Sequence, residues 1–142
     1  MNRLPSEESS KRKDNIDSVK VKCNISISRI FQQLHEPNKA IEYLQNCITS
    51  SKDHPAYLSE LASAIIRSQG DLAEALKLQK QASNACPDNP VYLFNMADTL
   101  HCLHQYDLEI EILVKCLEML PPFIDKIYNN LALAYASLHK NE

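Results

Sequence analysis

Apolar residues recur along this chain at three- and four-residue spacing, in paired runs. Leu93, Met96, Ala97, Leu100 and Leu103 form one stripe, and Tyr106, Ile110, Leu113, Leu117 and Leu120 form another after a break at His104-Gln105. Such spacing places each set on one face of a helix. The second stripe stops at Pro121-Pro122, because proline lacks the amide hydrogen and clashes with the preceding turn. Upstream the arrangement repeats: Leu58, Ala62, Ile65 and Ile66, a break at Gly70-Asp71, then Leu72, Ala75, Leu76, Leu78 and Ala82. That pair ends at Cys86-Pro87-Asp88-Asn89-Pro90. Each pair predicts a helical hairpin, and the chain predicts an all-α fold.

The hairpins are copies of one unit. Pro87 and Pro121 lie 34 residues apart, as do Ala75 and Glu109, and Ala82 and Cys116. Ala40 precedes Ala75 by 35 residues, and Cys47 precedes Ala82 by 35. The units run at about 21–55, 56–89 and 90–124, with a half-unit at 125–142, and residues 20–142 form the repeat domain. Residues 1–19 are expected to be a flexible polar tail.

In this register the chain resembles the tetratricopeptide repeat family. The family's pattern has apolar or aromatic residues at unit positions 4, 7, 11 and 24, small ones at 8, 20 and 27, and proline at 32. The last unit supplies Tyr128, Leu131, Ala132 and Tyr135, and the third supplies Leu93, Met96, Ala97, Leu100, Leu113, Cys116 and Pro121. The second offers Ser63, Ile66, Ala75, Ala82 and Pro87; the first offers Ile27, Ser28, Phe31, Ala40, Leu44 and Cys47. Small side chains let helices approach to about 8–10 Å while large ones fill the gaps between them. The resemblance implies a right-handed α-solenoid of about three and a half hairpins stacked in one dimension. Several positions depart from the pattern. Ser59 and Gln79 are polar where large apolar residues belong, Glu109 replaces a small residue, and Lys52 stands where the first unit's proline should be.

Composition narrows the function classes. The single glycine, Gly70, excludes phosphate-cradling and dinucleotide-binding loops, which need several within a few residues. Lys+Arg 15 against Asp+Glu 18, a formal net charge of -3, argues against nucleic acid as a ligand. The basic cluster Lys11-Arg12-Lys13 reads as solvated leader. No apolar run reaches the length of about 18 residues a membrane span needs, and Met1–Ser10 has no signal-peptide core. No membrane partner is expected, and the cytoplasm, or else the nucleus, is the expected compartment. Five cysteines, Cys23, Cys47, Cys86, Cys102 and Cys116, with no C-x-x-C spacing, fit free thiols there.

Candidate chemistry is sparse. His101-Cys102-Leu103-His104 with Cys116 invites a zinc reading. However, His35, Gly70, His104 and His139 all fall at unit position 15, between the paired helices, where the family favours a left-handed backbone, so these histidines read as turn residues. Cys47 and Cys116 take a small-residue position and read as buried thiols. Glu7, Glu8, Glu109 and Glu111 read as solvated charge. No catalytic residue, metal or cofactor is expected, and the chain is read as a non-enzyme.

What remains is surface. In tetratricopeptide arrays the first helix of each hairpin lines a concave groove. The resemblance places Arg29, Tyr57, Glu60, Leu61, Arg67, Phe94, Asn95, Asp98, His101, Lys126 and Asn130 on it. Leu133 would complete an apolar streak with Leu61 and Phe94, and Phe94 and Tyr57 could stack on a ligand's side chains. Family members that clamp the carboxyl terminus of heat-shock chaperones place Lys and Arg at set groove positions. Here only Asn95 and Lys126 agree, and Glu60, Ala64 and Asn130 do not, so that clamp is expected to be absent. The chain is therefore read as a scaffold or adaptor for a peptide or helical segment of a partner protein. The alternative is a regulatory or assembly fragment of a larger repeat protein, whose terminal helix (Leu131, Leu133, Ala134, Tyr135, Leu138) docks on a partner or a second copy.

Overall fold

The computed structural model describes residues 4–140. Seven helices follow one another: α1 (Pro5–Gln33), α2 (Pro37–Ser51), α3 (Pro55–Arg67), α4 (Leu72–Ala85), α5 (Pro90–Cys102), α6 (Tyr106–Glu118) and α7 (Ile124–Lys140). No strand occurs among the described residues. α1/α2, α3/α4 and α5/α6 are antiparallel hairpins, each packing on its neighbours in sequence, with α7 against α6.

Local sequence sets the helix ends. Pro5, Pro37, Pro55 and Pro90 open four helices, where the absent amide hydrogen costs nothing and φ is already helical. Asp71 Oδ1 accepts from the Ala73 amide at 2.9 Å and Asn89 Oδ1 from Val91 at 3.0 Å, capping α4 and α5. His35, Gln69 and His104 take positive φ (61°, 59° and 58°) just past α1, α3 and α5. Each reversal is closed by an amide reaching back into the last turn: Glu36 to Phe31 O, Gly70 to Ile65 O and Gln105 to Leu100 O, at 2.9, 2.8 and 3.0 Å.

The core forms two clusters. Leu44, Tyr57, Leu61, Ala62, Ala64, Ile65 and Ala75 fill the first, between α1 and α4. Leu76, Leu93, Met96, Ala97, Leu100, Leu113, Cys116, Ile127 and Leu131 fill the second. Ala40, Ala75 and Ala82 are fully buried at the close helix approaches, as is Ser28.

Several expectations need correction. Residues 5–19, expected as part of a polar tail outside the repeat domain, are helical and exposed and form the first part of α1. Proline at the first turn, Glu7 and Glu8 near the positive helix end, and the pairs Glu7/Lys11 and Glu8/Arg12 four apart all favour helix. Residues 1–3 of that tail, and 141–142 of the last half-unit, lie outside the described residues. The left-handed residue of the second hairpin is Gln69, not Gly70, because this turn is one residue longer than the others. His139 is inside α7, not in a turn. Leu120 lies past the end of α6 at positive φ and is 77% exposed, so it does not complete the α6 stripe. In α7 the buried residues are Ile127, Leu131 and Ala134, while Tyr128, Ala132 and Tyr135 face solvent, since no further helix packs on that side of α7 among the described residues.

Candidate protein-binding face

The leading helices α1, α3, α5 and α7 contribute one side-chain face each, and polar bridges cross between them. Arg29 on α1 binds Glu60 on α3 through both nitrogens of its fork, Nε to Oε1 at 3.1 Å and Nη2 to Oε2 at 3.0 Å. This pairing holds the Arg29 guanidinium above its ordinary pKa. One turn on, Arg67 Nη1 donates to Gln32 Oε1 at 2.9 Å. Between α5 and α7, Asn130 Nδ2 donates to Asp98 Oδ1 at 2.9 Å. These pairs are 31 to 35 residues apart in sequence, so the repeat period is what brings them together.

The junction of α3 and α5 is different. No side-chain hydrogen bond joins these two helices directly among the described residues, and two depressions open there. One, of about 320 Å³, includes Arg29, Glu60, Ser63, Arg67 and Asn95 in its lining. The other, of about 180 Å³, includes Ser63, Arg67, Gln79, Asn95, Asp98 and Cys102. A third, of about 250 Å³, lies between α5 and α7, against Asp98, His101, Cys102, Glu109, Asn130 and Leu133.

Of the residues expected on this face, Arg29, Glu60, Arg67, Asn95, Asp98, His101 and Asn130 line these depressions, and Lys126 is exposed on α7. Tyr57 and Leu61 are not on it. Tyr57 is 1% exposed and Leu61 is buried beside it, because α1 covers this part of α3. The Tyr57 hydroxyl accepts from Asn24 Nδ2 at 2.9 Å across the α1–α3 contact. Phe94 is half-buried and packs edge-on against Phe123, ring centroids 5.2 Å apart, so its ring is engaged inside the chain. Leu133 stays exposed.

One carboxylate differs from its expected setting. Glu109, expected as solvated charge, is 1% exposed. Position 20 of the unit faces inward, and the carboxylate meets His101 Nδ1 at 2.9 Å. Burial pushes the Glu109 carboxyl above its usual range, more than His101 lowers it. Asp98 is open to solvent yet hemmed by protein, and this desolvation raises its carboxyl too, opposed by the Asn130 hydrogen bond and by His101. His104 does not join a ligand set: its Nδ1 meets the Tyr106 hydroxyl at 2.7 Å. Among the described residues, no three His, Cys, Asp or Glu side chains are grouped to hold a metal. The Cys116 thiol is fully buried, donates to Pro90 O at 3.3 Å, and is pushed up by burial, as Cys47 is, which keeps both in the unreactive thiol form.

Residues 21–54 match the family model described as "Tetratricopeptide repeat". Comparison with curated proteins gives no match. Among solved structures, the Sgt2 tetratricopeptide domain from Aspergillus fumigatus is similar with a TM-score of 0.76 at 17% identity, over 86% of this chain and 81% of that one. The first such domain of Spaghetti (RPAP3), bound to the HSP90 peptide SRMEEVD, also gives 0.76, at 16% identity over 86% and 98% of the two chains. An O-GlcNAc transferase mutant from Thermobaculum terrenum gives 0.72 at 19% identity, over 83% of this chain but 22% of that one. Residues 21–54 thus match one tetratricopeptide repeat, and the described chain as a whole has the tetratricopeptide-repeat fold, an all-α helical-repeat solenoid.

Proposed function

We propose that this chain is a non-enzymatic protein-interaction scaffold, with residues 20–142 as the binding module. It takes a peptide or helical segment of a partner across the face of α1, α3, α5 and α7. The observation that carries this reading is the row of three depressions along the leading helices, walled by Arg29, Glu60, Arg67, Asn95, Asp98 and Asn130. The amides offer hydrogen bonds to a peptide backbone without demanding a sequence. The walls are already fixed by the interhelical bridges, so little side-chain entropy is lost on binding. A structural neighbour holds a peptide, which supports the same use here. No helix among the described residues is long and apolar enough to cross a membrane.

The test is a random-peptide display selection on the immobilised protein, counter-screened against Ser63→Trp, which places a bulky ring where two depressions meet. Enriched peptides should lose most of their binding to the variant while its helical circular dichroism is unchanged. Equal binding to both proteins would remove the face from consideration.

A second reading rests on α7, where Tyr128, Leu133 and Tyr135 are exposed on a helix with no cover on that side among the described residues. Here α7 docks on a partner or a second copy of the chain. Light scattering behind size exclusion decides for self-association if the mass doubles with concentration and Tyr135→Lys prevents it.

A further inference from the structure

Two inward positions depart from the repeat, and both departures set polar atoms against α5. Where the first and third units carry the fully buried Leu44 and Leu113, the second carries Gln79, 2% exposed. Where the first and second carry the fully buried Ala40 and Ala75, the third carries Glu109. Gln79 Nε2 donates to the carbonyl oxygen of Asn95 at 3.3 Å. A carbonyl can only accept, so this bond fixes the amide's orientation, and Oε1 is left as a buried acceptor with no partner. A leucine there would bury no such acceptor, so the glutamine is costly to the fold.

Gln79 lines the 180 Å³ opening between α3, α4 and α5. Asp98 and Cys102, one turn apart on α5, line both this opening and the 250 Å³ one beside α7, so the two share a wall. Sites for drug-sized ligands run to about 300–1,000 Å³, and each of these openings suits one side chain instead.

The charges facing this space are uneven. Arg67 also lines the first opening, its guanidinium turned to Gln32, a neutral amide that leaves its charge unpaired, whereas Arg29 is paired with Glu60. Asp98 has an amide partner in Asn130, and Glu109 has His101. Neither carboxylate has a lysine or arginine within ion-pair distance among the described residues. Desolvation raises both carboxyls, as expected where counter-charge is short.

We propose that the opening between α3, α4 and α5 receives a basic side chain, arginine above lysine, from the partner segment, with the Asp98 carboxylate supplying the charge and Gln79 Oε1 a buried acceptor. This rests on the scaffold reading and specifies its partner. A guanidinium carries five donors on a rigid fork and is weakly hydrated, so it meets a carboxylate and an amide oxygen together at less desolvation cost than an ammonium. The preference is opposite in sign to a groove that selects acidic peptide ends.

The test uses fluorescein-labelled dodecapeptide pools, random except for a central arginine, lysine, glutamate or norleucine, with fluorescence polarisation as the readout. The arginine pool should bind the wild-type protein about tenfold more tightly than the glutamate pool, lysine falling between. Asp98→Asn, a near-isosteric change, and Gln79→Leu, which restores the side chain of the sister units, should each cut the ratio of arginine-pool to norleucine-pool affinity at least about threefold, with helical circular dichroism unchanged. Equal binding of arginine and glutamate pools, or an arginine advantage that survives both substitutions, overturns this inference and leaves the scaffold reading standing. Failure of every pool to bind the wild-type protein overturns both.

Discussion

Gln69 and Gly70 divide between them what a single glycine does in many helix ends. Gln69 takes the left-handed backbone at φ 59°, where a side chain is disfavoured. Gly70 has no positive φ, but a Cβ there would lie 2.9 Å from Ile65 Cγ2 and 3.1 Å from Ile65 O. The glycine is required by space, not by dihedral angle. Gly70→Ala should therefore destabilise by about 1–3 kcal/mol through overpacking against a backbone carbonyl. Gln69→Gly should be neutral or stabilising by up to about 1 kcal/mol, relieving the left-handed strain. Urea midpoints at constant m-value check both, and the opposite signs at adjacent residues separate the two causes.

At the scale of elements, α1 is one helix with two environments. Residues 5–20 are exposed throughout, whereas Asn24, Ser28 and Phe31 pack or bond against α2 and α3. Helix propensity without burial is marginal in water. Hydrogen exchange should run fast for amides before Val21 and slow for those from Asn24 to Phe31; uniform protection along α1 would contradict this. α6 carries the other strained element, its buried Glu109. A carboxyl whose folded pKa lies above its unfolded one keeps its proton longer in the fold. It therefore favours folding below the ordinary glutamate range and works against it as pH rises through the raised value. Glu109→Gln should accordingly raise the melting temperature more near about pH 7.5 than near about pH 4. A larger gain at the acid end would reverse the assignment.

For the whole molecule, stability resides in the stacked cores, with the polar bridges lying above them on the face of the leading helices. Leu113, fully buried beneath α5 and α7, should cost about 2–5 kcal/mol on truncation to alanine. Arg29, mostly exposed although its geometry with Glu60 is bidentate, should cost less than about 1 kcal/mol. Chemical denaturation of the two variants side by side tests whether the bridges shape the face rather than hold the array. One-dimensional stacking also explains the two ends. Ile30 on α1 and Tyr128 and Tyr135 on α7 are exposed because the outer side of each end helix has no neighbouring hairpin among the described residues.

Period and pattern by themselves determined the helices of the repeat units, though not the start of α1 at residues 5–19. Leu58, Ala62 and Ile65, or Leu93, Ala97 and Leu100, declare a buried stripe at helical spacing, and Pro55, Asp71, Asn89 and Pro90 mark ends, because those signals act within a turn or two of chain. The polar residues expected on the leading helices were legible for the same reason, since a 34- or 35-residue offset returns to the same face. Tyr57 and Leu61 escaped that logic. Unit numbering gives them a groove position, but only the packed structure shows α1 lying over them. Gln79 and Glu109 could be seen to break the pattern, yet their roles depended on partners 16 and 8 residues away meeting across helix contacts. Local chemistry sets where a helix starts and which side is apolar; which of its atoms lose water is a property of the neighbours, and those exist only once the array is assembled.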